Sequence, residues 1–376
     1  MIVDFALDKV IDWKRVISDF LIMRKILVSI VLICNIYLFA ELDSSLHAYP
    51  VMDYSDETSL SGGGVLIYIY RPEGQDKTIP PSLLKLQIEA GIKSSWSFEI
   101  ENEWQLEDGK YAVNLPFKIE EQRCELYKTG NDIELNDSQE NEIRKFNGSF
   151  EMLRRWTKYH FGFTYKINSS KYRYELDESL LQYNDKILPA GGLCVGPGLT
   201  FQYNTLDNYY FPLSGVRMQF NLQTYSQALS SDYTFDRYSF NSSLYFKLAK
   251  LTTMALGMKV ITIVGDVPYQ EMASLGDELR IFRSGQYADM NLVSLVSEIR
   301  SFPFSRAYWR RFGFVIFAEA GQSRSNFEDF YITGAHYGFG VGFRYLLDMK
   351  ENFTLHLDGG LYKSQTSIDF GANEAF

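Results

Sequence analysis

The sequence has only one long apolar run, no basic block and no Pro/Ser-rich linker. A single run argues against a helical membrane protein, although 46% of the 376 residues are hydrophobic. The formal net charge of −10 and the lack of basic blocks argue against nucleic acid as a partner. The four His residues, at 47, 160, 336 and 356, have no metal-ligand spacing. We therefore expect neither a metal nor another cofactor.

The single apolar run lies near the N-terminus and predicts export. It covers residues 26–40, "ILVSIVLICNIYLFA", and follows the basic tripeptide Met-Arg-Lys at 23–25. A basic start, an apolar stretch and a small final residue are typical of a secretory signal peptide. We predict a signal peptide over 23–40 with cleavage after Ala40, and an N-terminal extension over 1–22 that precedes the true start. The alternative is a transmembrane anchor, but the run is short for a spanning helix of about 20 residues.

The rest of the chain, residues 41–376, alternates between apolar and polar residues with a period of two. The segments "YGFGVGFRY" (337–345), "YHFGFTYKI" (159–167) and "WSFEIENEW" (96–104) show this pattern most clearly. Such alternation indicates β-strands with one apolar face. In the last of these segments, the polar face carries Glu99, Glu101 and Glu103.

The alternation is compatible with a soluble β-sandwich or with an outer-membrane β-barrel. Export, strand patterns of nine or more residues and aromatic residues at the strand ends favour the barrel. We therefore predict an all-β fold, a transmembrane antiparallel β-barrel of about 16 strands. Fifteen strands can be placed, and the missing one is expected near Tyr49 to Tyr54 or within 176–190. Residues 121–140 and 264–287 are predicted to form long loops.

Three segments in the second half of the chain contain unusual combinations of residues. "SLGDELRIFRSGQYADMN", 274–291, places Arg280 beside two apolar residues inside a predicted loop. "VIFAEAG", 315–321, sets Glu319 on the strand face opposite Phe314 and Ile316, which are predicted to face lipid. Glu298, in "LVSEIRSF" on the preceding strand, can face the lumen too. The third segment is "YNTLDNYYFPLSG", 203–215.

Together these segments resemble the barrel domain of the bacterial surface antigen family, the BamA/TamA-like outer-membrane barrels. The resemblance runs from about Glu57 to Phe376, with its most specific motifs from residue 196 onward. It implies a sixteen-stranded barrel with a long extracellular loop folded back into the lumen. It also implies that 203–215 is a periplasmic turn. No periplasmic α/β repeat is expected, because strand patterns begin soon after the predicted cleavage site.

The resemblance also assigns roles to individual residues. It implies that Arg280 at the loop tip is held by Glu298 and Glu319, which together form a lumen loop lock. The loop motif is matched by Leu279, Phe282, Gly285, Tyr287 and Asp289, and the strand motif by Phe317 and Gly321. The family's Gly after the Arg is Ile281 here, so a different loop backbone is expected if that Gly needs a positive φ.

A physical argument supports the loop lock, and a simpler interpretation stays open beside it. We expect a wide lumen to offer the loop no hydrophobic core, so that a buried guanidinium needs carboxylates for charge-assisted hydrogen bonds. The alternative is that Arg280 and the two glutamates are separate lumen residues, each hydrated by water.

The last strand implies partners for the chain. It ends at Phe376, with Phe370 and Ile368 behind it in an apolar file. By the resemblance, this is a C-terminal insertion signal that recruits the barrel-assembly machinery. The expected location is the outer membrane of a Gram-negative cell, with its lipid and lipopolysaccharide as surroundings. An unidentified periplasmic partner stays open.

Three functions follow from these features. The first is a translocation or membrane-protein insertion element, and the second is a porin-like or structural barrel whose acidic lumen residues favour cations. The third is an enzyme, which we do not expect, because His160 and His356 are isolated on predicted lumen faces. Cys194, in "GLCVGPG", lacks the strand-then-helix context of a nucleophile. The sequence leaves open whether Cys124 and Cys194 pair.

Deleting Phe376 should reduce the amount of the protein in the outer membrane and leave periplasmic material that proteases degrade. The physical reason is that the terminal aromatic completes the apolar file of the closing strand. Fractionation followed by immunoblotting measures this. Normal abundance of the shortened chain would show that the terminal aromatic is dispensable.

Overall fold

The computed structural model describes residues 42–55, 59–72, 79–91, 95–133, 138–183, 186–304, 306, 309–349, 353–363 and 365–372. The predicted extension, the predicted signal peptide and Phe376 lie outside the described residues. The chain divides into two compact units, Met1–Ser44 with Tyr70–Gln75, and Ser45–Ile69 with Asp76–Phe376. The described residues of the first unit, 42–44 and 70–72, are the start of one strand and the end of the next. Among the described residues, no helix is long and apolar enough to cross a membrane.

The described chain is built almost entirely of β-strands. They are β1 Leu42–Ser55, β2 Ser59–Pro72, β3 Ser82–Gly91, β4 Trp96–Leu106, β5 Tyr111–Asn114, β6 Phe117–Tyr127, β7 Ser138–Trp156, β8 Tyr159–Tyr172, β9 Gln182–Tyr183, β10 Lys186–Ile187, β11 Gly192–Asn204, β12 Gly215–Tyr225, β13 Phe235–Ala249, β14 Thr252–Gly265, β15 Ala273–Ser274, β16 Ala288–Asp289, β17 Asn291–Ser301, β18 Phe312–Arg324, β19 His336–Asp348, β20 Phe353–Tyr362 and β21 Gln365–Ala372. One short α-helix, Glu178–Leu181, and 3-10 turns at Gln227–Leu229, Tyr269–Glu271, Leu275–Asp277, Trp309–Arg311, Phe327–Asp329 and Ile332–Gly334 lie in the connections.

Seventeen of the described strands form one antiparallel sheet, and two of them share a single position. Both β5 and β6 pair with β4 on one side and with β7 on the other. They are separated at Pro116, which has no N–H group to donate to a ladder. Asn102 compensates for the break, because its side-chain oxygen accepts a hydrogen bond from the N–H of Leu115 at 2.7 Å. The 17 strands therefore occupy 16 positions, as predicted, and β1 is the strand expected near Tyr49 to Tyr54.

Neighbouring strands in the sequence are neighbours in the sheet. The ladder runs from β1 through β2 and β3 to β8, then through β11 to β14 and β17 to β21. At its two ends, the ring of Tyr49 on β1 lies 6.4 Å from that of Phe370 on β21. The sheet thus returns to its start, as a barrel requires.

The two faces of the strands differ as the alternation predicted. On β18, Phe314 and Ile316 are 48% and 56% exposed, whereas Val315, Phe317 and Glu319 are buried. In a membrane barrel the exposed apolar face contacts lipid and the other face lines the interior. The fold is therefore the predicted transmembrane antiparallel β-barrel.

The connections differ in length between the two ends of the barrel. At one end, which we call the short-turn end, residues 107–110, 157–158 and 250–251 join neighbouring strands. At the other, the loop end, the connections include 173–191 and 266–290. The predicted long loop at 264–287 corresponds to 266–290, which contains β15 and β16. The described part of β21 finishes at the short-turn end.

The predicted long loop at 121–140 is largely wrong, because β6 runs to Tyr127 and β7 begins at Ser138. With 19 residues, β7 is longer than the roughly 9–11 residues that cross a membrane. Its loop end therefore carries polar residues on both faces, and these pair across strands. Arg144 donates to Glu121 at 2.6 Å. The alternation that identified the other strands is absent where neither face meets lipid.

Neither Cys124 nor Cys194 forms a disulfide. They lie on β6 and β11, and the sheet places β7 and β8 between those strands. At about 4.8 Å per strand, roughly 14 Å separates the two backbones. A disulfide requires Cα atoms within about 7 Å. The question left open by the sequence is therefore answered, since these two residues are too far apart to pair.

Candidate functional site

Residues 266–290 fold into the barrel and form the centre of its main hydrophobic cluster. Leu275, Leu279, Ile281, Phe282 and Tyr287 are at most 5% exposed. They belong to one cluster with inward-facing wall residues of β17, β18 and β20. The expectation that the lumen offers a loop no hydrophobic core is therefore wrong. The loop brings its own apolar side chains, and parts of the wall are apolar to match.

The local structure of the loop is a narrow base that carries a compact tip. At the base, β15 pairs with β16. Ser274 closes the base, because its hydroxyl donates to the carbonyl of Gln286 at 2.9 Å and accepts from the N–H of Gly276 at 3.1 Å. Gly285 and Tyr287 adopt left-handed backbone conformations with φ of 77° and 57°. These turns reverse the chain, so that Arg280 lies at the tip.

Arg280 is bonded to three carboxylates from three different strands. Its Nε donates to Oε1 of Glu319 on β18 at 2.7 Å. Nη2 donates to Oε1 of Glu298 on β17 and Nη1 to Oδ2 of Asp358 on β20, each at 2.5 Å. The Arg280 side chain is 10% exposed and the three carboxylates at most 1%. We call these four residues, with Arg300 and Arg344, the Arg280 cluster.

Two wall arginines complete the charge balance of the Arg280 cluster. Arg300 donates from Nε to Oε2 of Glu298 at 2.7 Å. Arg344 donates from Nη2 to Oδ2 of Asp358 at 3.2 Å, and its Nη1 also bonds that carboxylate. Three guanidinium groups thus face three carboxylates, which is what buried charges require.

The Arg280 guanidinium also packs on an aromatic ring of the barrel wall. Its central carbon lies 3.9 Å from the centre of the Phe317 ring, a cation–π contact. Glu319 accepts a further bond at 3.3 Å from the N–H of Ile281, which fixes the tip backbone. Burial by itself would lower the pKa of Arg280, but the carboxylates of Glu298 and Glu319 raise it above that of a free arginine. The side chain therefore stays charged.

The structure brings together Arg280, Glu298, Glu319 and Phe317 from the residues named by the sequence motifs. The other motif residues surround this group. Gly321 leaves room for Leu275, whose Cδ2 would lie 2.5 Å from a Cβ at that position. Asp289 accepts a bond from the Tyr183 hydroxyl at 2.7 Å. On β21, Ile368 is exposed and Phe370 packs partly buried near Tyr49.

Sequence reasoning missed Asp358, Arg300 and Arg344. Strand parity could have placed Asp358 inside the barrel, since it alternates with the exposed Leu357 in "HLDGG". No local pattern shows which inward-facing charges meet, because their contacts join residues up to 78 positions apart.

Ile281, the departure from the family motif, adopts an ordinary backbone conformation outside the left-handed region. Its side chain instead requires space in the wall, and two glycines provide it. A Cβ at Gly338 would lie 2.8 Å from Ile281 Cδ1, and one at Gly360 would lie 2.9 Å from Ile281 Cγ2. The inward-facing glycines of β19 and β20 are thus the surface on which the loop tip packs.

The opposite side of the loop is bonded to β6. The Tyr269 hydroxyl accepts from the N–H of Tyr127 at 3.0 Å and donates to its carbonyl at 2.7 Å. Arg283 donates to Glu125 at 2.9 Å. The loop therefore spans the lumen from β6 to the wall of β17 to β20.

The other candidate residues of the sequence have structural partners. Lys85 lies 3.9 Å from Glu99 and 3.3 Å from Glu101, and Arg155 lies 3.4 Å from Glu103. Each glutamate of the acidic row therefore lies near a basic residue, and Lys85 is shared by two of them.

His160 and His356, which the enzyme hypothesis considered, are both buried on the inner face. His356 lies 3.0 Å from Asp369, and with Asp358 these residues form a group that resembles a metal site. The Asp358 carboxylate already accepts hydrogen bonds from Arg280 and Arg344, and the positive charges of these arginines disfavour a metal cation there.

Replacing Arg280 with Ala should lower the temperature at which the detergent-purified barrel loses its heat-modifiable gel mobility. Removing one member of a buried charge cluster leaves other charges unmatched, which costs about 3–5 kcal/mol. Arg283→Ala is the matched control on the same loop. Its ion pair is more exposed and contributes about 0–1 kcal/mol. Equal transitions for the two variants would contradict a special role for Arg280.

A double-mutant cycle tests the packing of Ile281 against the wall. Gly360→Val should destabilise the barrel by about 1–3 kcal/mol, because the added atoms overlap the Ser367 hydroxyl and Ile281, which lie 2.6 and 2.9 Å from a Cβ at that position. In an Ile281→Ala background the further loss should be smaller, since the overlapping methyl group is gone. Gly359→Val is the control, because a Cβ there would meet only the Val341 carbonyl, at 3.9 Å. Strictly additive losses would show that Ile281 and Gly360 do not interact.

Comparison with known proteins agrees with this architecture. The structure is similar to BamA from Haemophilus ducreyi lacking POTRA domains 1–3, with a TM-score of 0.53 and 12% identity, over 88% of this chain and 69% of that one. It is similar to CdiB from Escherichia coli, with a TM-score of 0.57 and 12% identity, over 89% and 62% of the two chains. It is also similar to CdiB from Acinetobacter baumannii, with a TM-score of 0.53 and 11% identity, over 89% of this chain and 60% of that one.

At these identities the likeness shows the fold. The comparison with curated proteins by sequence gave no match. Residues 83–347, well over half of the chain, match the sequence profile of the Omp85 superfamily domain. The chain is therefore a member of the Omp85 superfamily of outer-membrane β-barrels.

Proposed function

We propose that this barrel inserts polypeptides into the outer membrane or translocates them across it, and that its resting state is closed by the loop. The observation that carries the proposal is the Arg280 cluster. One loop side chain is bonded to carboxylates of β17, β18 and β20. We propose that this cluster is a loop lock, which holds the loop in the lumen until a client or partner releases it.

The loop lock favours this function over a porin-like channel. A porin needs a lumen that is permanently open, whereas this lumen contains a loop that packs in a hydrophobic cluster. Two polar cavities of about 240 Å³ each are lined in part by Gln219, and Glu278 and Arg280 of the loop line one of them. They are far smaller than the channel of a large porin.

The proposed orientation follows from the connections. Outer-membrane barrels have short periplasmic turns and longer extracellular loops, so the short-turn end faces the periplasm. The exposed apolar strand faces contact lipid, and lipopolysaccharide would surround the loop end. The barrel-assembly machinery is the proposed partner during insertion, and a periplasmic partner could dock at the short-turn end. The proposed role is not catalytic.

Planar-bilayer recordings and a folding assay test this function. The wild-type protein should give small, flickering currents, and Arg280→Ala should increase the frequency and duration of openings because the loop is released more often. Arg283→Ala should leave both close to wild type. Large, steady wild-type currents would support the porin-like alternative and contradict the proposal.

The folding assay uses vesicles that contain the wild-type barrel and a urea-unfolded second copy of this chain as the client. Folding of the client is followed by its heat-modifiable gel mobility. Vesicles with the barrel should fold the client faster than empty vesicles. An equal rate in both would contradict the insertion role and leave translocation as the remaining form of the proposal.

A further inference from the structure

The turn between β11 and β12, residues 205–214, has a rigid local structure at the short-turn end. The Asn208 side-chain oxygen accepts from the N–H groups at 210 and 211 at 3.1 and 2.8 Å. Asp207 accepts from the N–H groups at 213 and 214 at 2.9 and 3.2 Å. These side chains fix the turn, and it projects three aromatic residues, Tyr-Tyr-Phe at 209–211. We call these three residues the aromatic tip.

Each residue of the aromatic tip contacts a different part of the barrel. The Tyr209 hydroxyl donates to Glu103 on β4 at 2.9 Å. The Tyr210 ring lies 5.3 Å from the ring of Phe353, at the start of β20. The Phe211 ring lies 5.1 Å from that of Phe302, directly after β17. Tyr210 and Phe211 are each 6% exposed.

The Tyr210 contact lies on a wall that is distant from the turn itself, whereas Phe302 follows a strand three positions from β12. The strands that carry the turn, β11 and β12, are the eighth and ninth of the 16 positions in the sheet. β20 is the fifteenth and β4 is the fourth. In a closed ring, positions eight and nine lie opposite positions sixteen and one. The aromatic tip therefore reaches across the mouth of the lumen.

On the far side, the aromatic tip covers an apolar patch of the inner wall. Val65, Ile67 and Ile69 of β2 are at most 3% exposed, and they cluster with Tyr210 and Phe353. Tyr49 of β1 and Phe370 of β21 pack against the same cluster. The interior of a membrane barrel is usually polar, so this patch needs an apolar cover, and the aromatic tip provides one.

We propose that the aromatic tip is a second closing element of the barrel and that it holds together the strands where the sheet returns to its start. It acts at the short-turn end by apolar packing, whereas the loop acts at the loop end through ion pairs. The two elements lie in series along the lumen, so releasing one leaves the other closed. This inference holds whether the barrel passes polypeptides or solutes.

Planar-bilayer recordings on a combined variant test the series arrangement. In Arg280→Ala the openings should be more frequent but remain small, because the aromatic tip still closes the short-turn end. Adding Tyr209→Ser, Tyr210→Ser and Phe211→Ser should increase the current amplitude several-fold. The control in the same background is Leu248→Ser, an exposed apolar residue near the β13–β14 turn at the same end. An amplitude equal to that of Arg280→Ala alone would overturn the proposal.

The proposal remains testable if the triple substitution prevents folding, which heat-modifiable mobility reveals. In that case the single variants Tyr210→Ala and Phe211→Ala are each recorded in the Arg280→Ala background. A larger current amplitude supports the proposal, and an amplitude equal to that of Arg280→Ala alone overturns it.

A cross-linking measurement tests the contact with the first and last strands. Tyr49→Cys and Phe370→Cys are introduced after Cys34, Cys124 and Cys194 are replaced by Ser, and a short bis-maleimide joins them. Tyr210→Ala should lower the cross-linking yield, and Leu248→Ser should not. An unchanged yield with Tyr210→Ala would refute the holding role.

Discussion

The bond between Arg280 and three buried carboxylates is the interaction on which the interior of this barrel depends. A guanidinium that leaves water must be matched by negative charge, and one carboxylate each from β17, β18 and β20 supplies it. This requirement places the loop tip against one wall. The rest of the loop must then cross the lumen, and its apolar side chains form a core where a barrel would otherwise hold water.

Two kinds of force hold the loop and the aromatic tip against the wall, and they require different wall residues. Ion pairs need fixed partners at defined distances, which the rigid strands provide. Apolar packing needs area and close approach. The wall meets that need with glycines, as at Gly338 and Gly360 beneath Ile281, or with aliphatic residues, as at Ile67 beneath the aromatic tip. The same strand pattern thus serves a lipid-facing side and an inner side that is polar in some places and apolar in others.

The sequence predicts the strands that cross the membrane, because lipid on one face imposes alternation there. It fails at 121–140, where β6 and β7 continue beyond the membrane and neither face is selected to be apolar. Arg280, Glu298 and Glu319 could be named from motifs, and the structure places them in contact. Asp358 and Arg344 could not be named from motifs, because their partners depend on how distant strands are arranged around the ring. The apolar loop core is not predicted, because the lumen of a typical membrane barrel is polar and such a lumen favours a hydrated loop.

The three carboxylates differ in what happens to them when the loop leaves. Glu298 keeps Arg300 and Asp358 keeps Arg344, so both stay partnered by the wall. Both bonds of Glu319 described above come from the loop, one from Arg280 and one from the N–H of Ile281. Opening therefore exposes one unmatched carboxylate rather than three. In the proposed release of the loop, the wall arginines would keep two carboxylates paired, and Glu319 would be the carboxylate that water or an incoming basic group must satisfy.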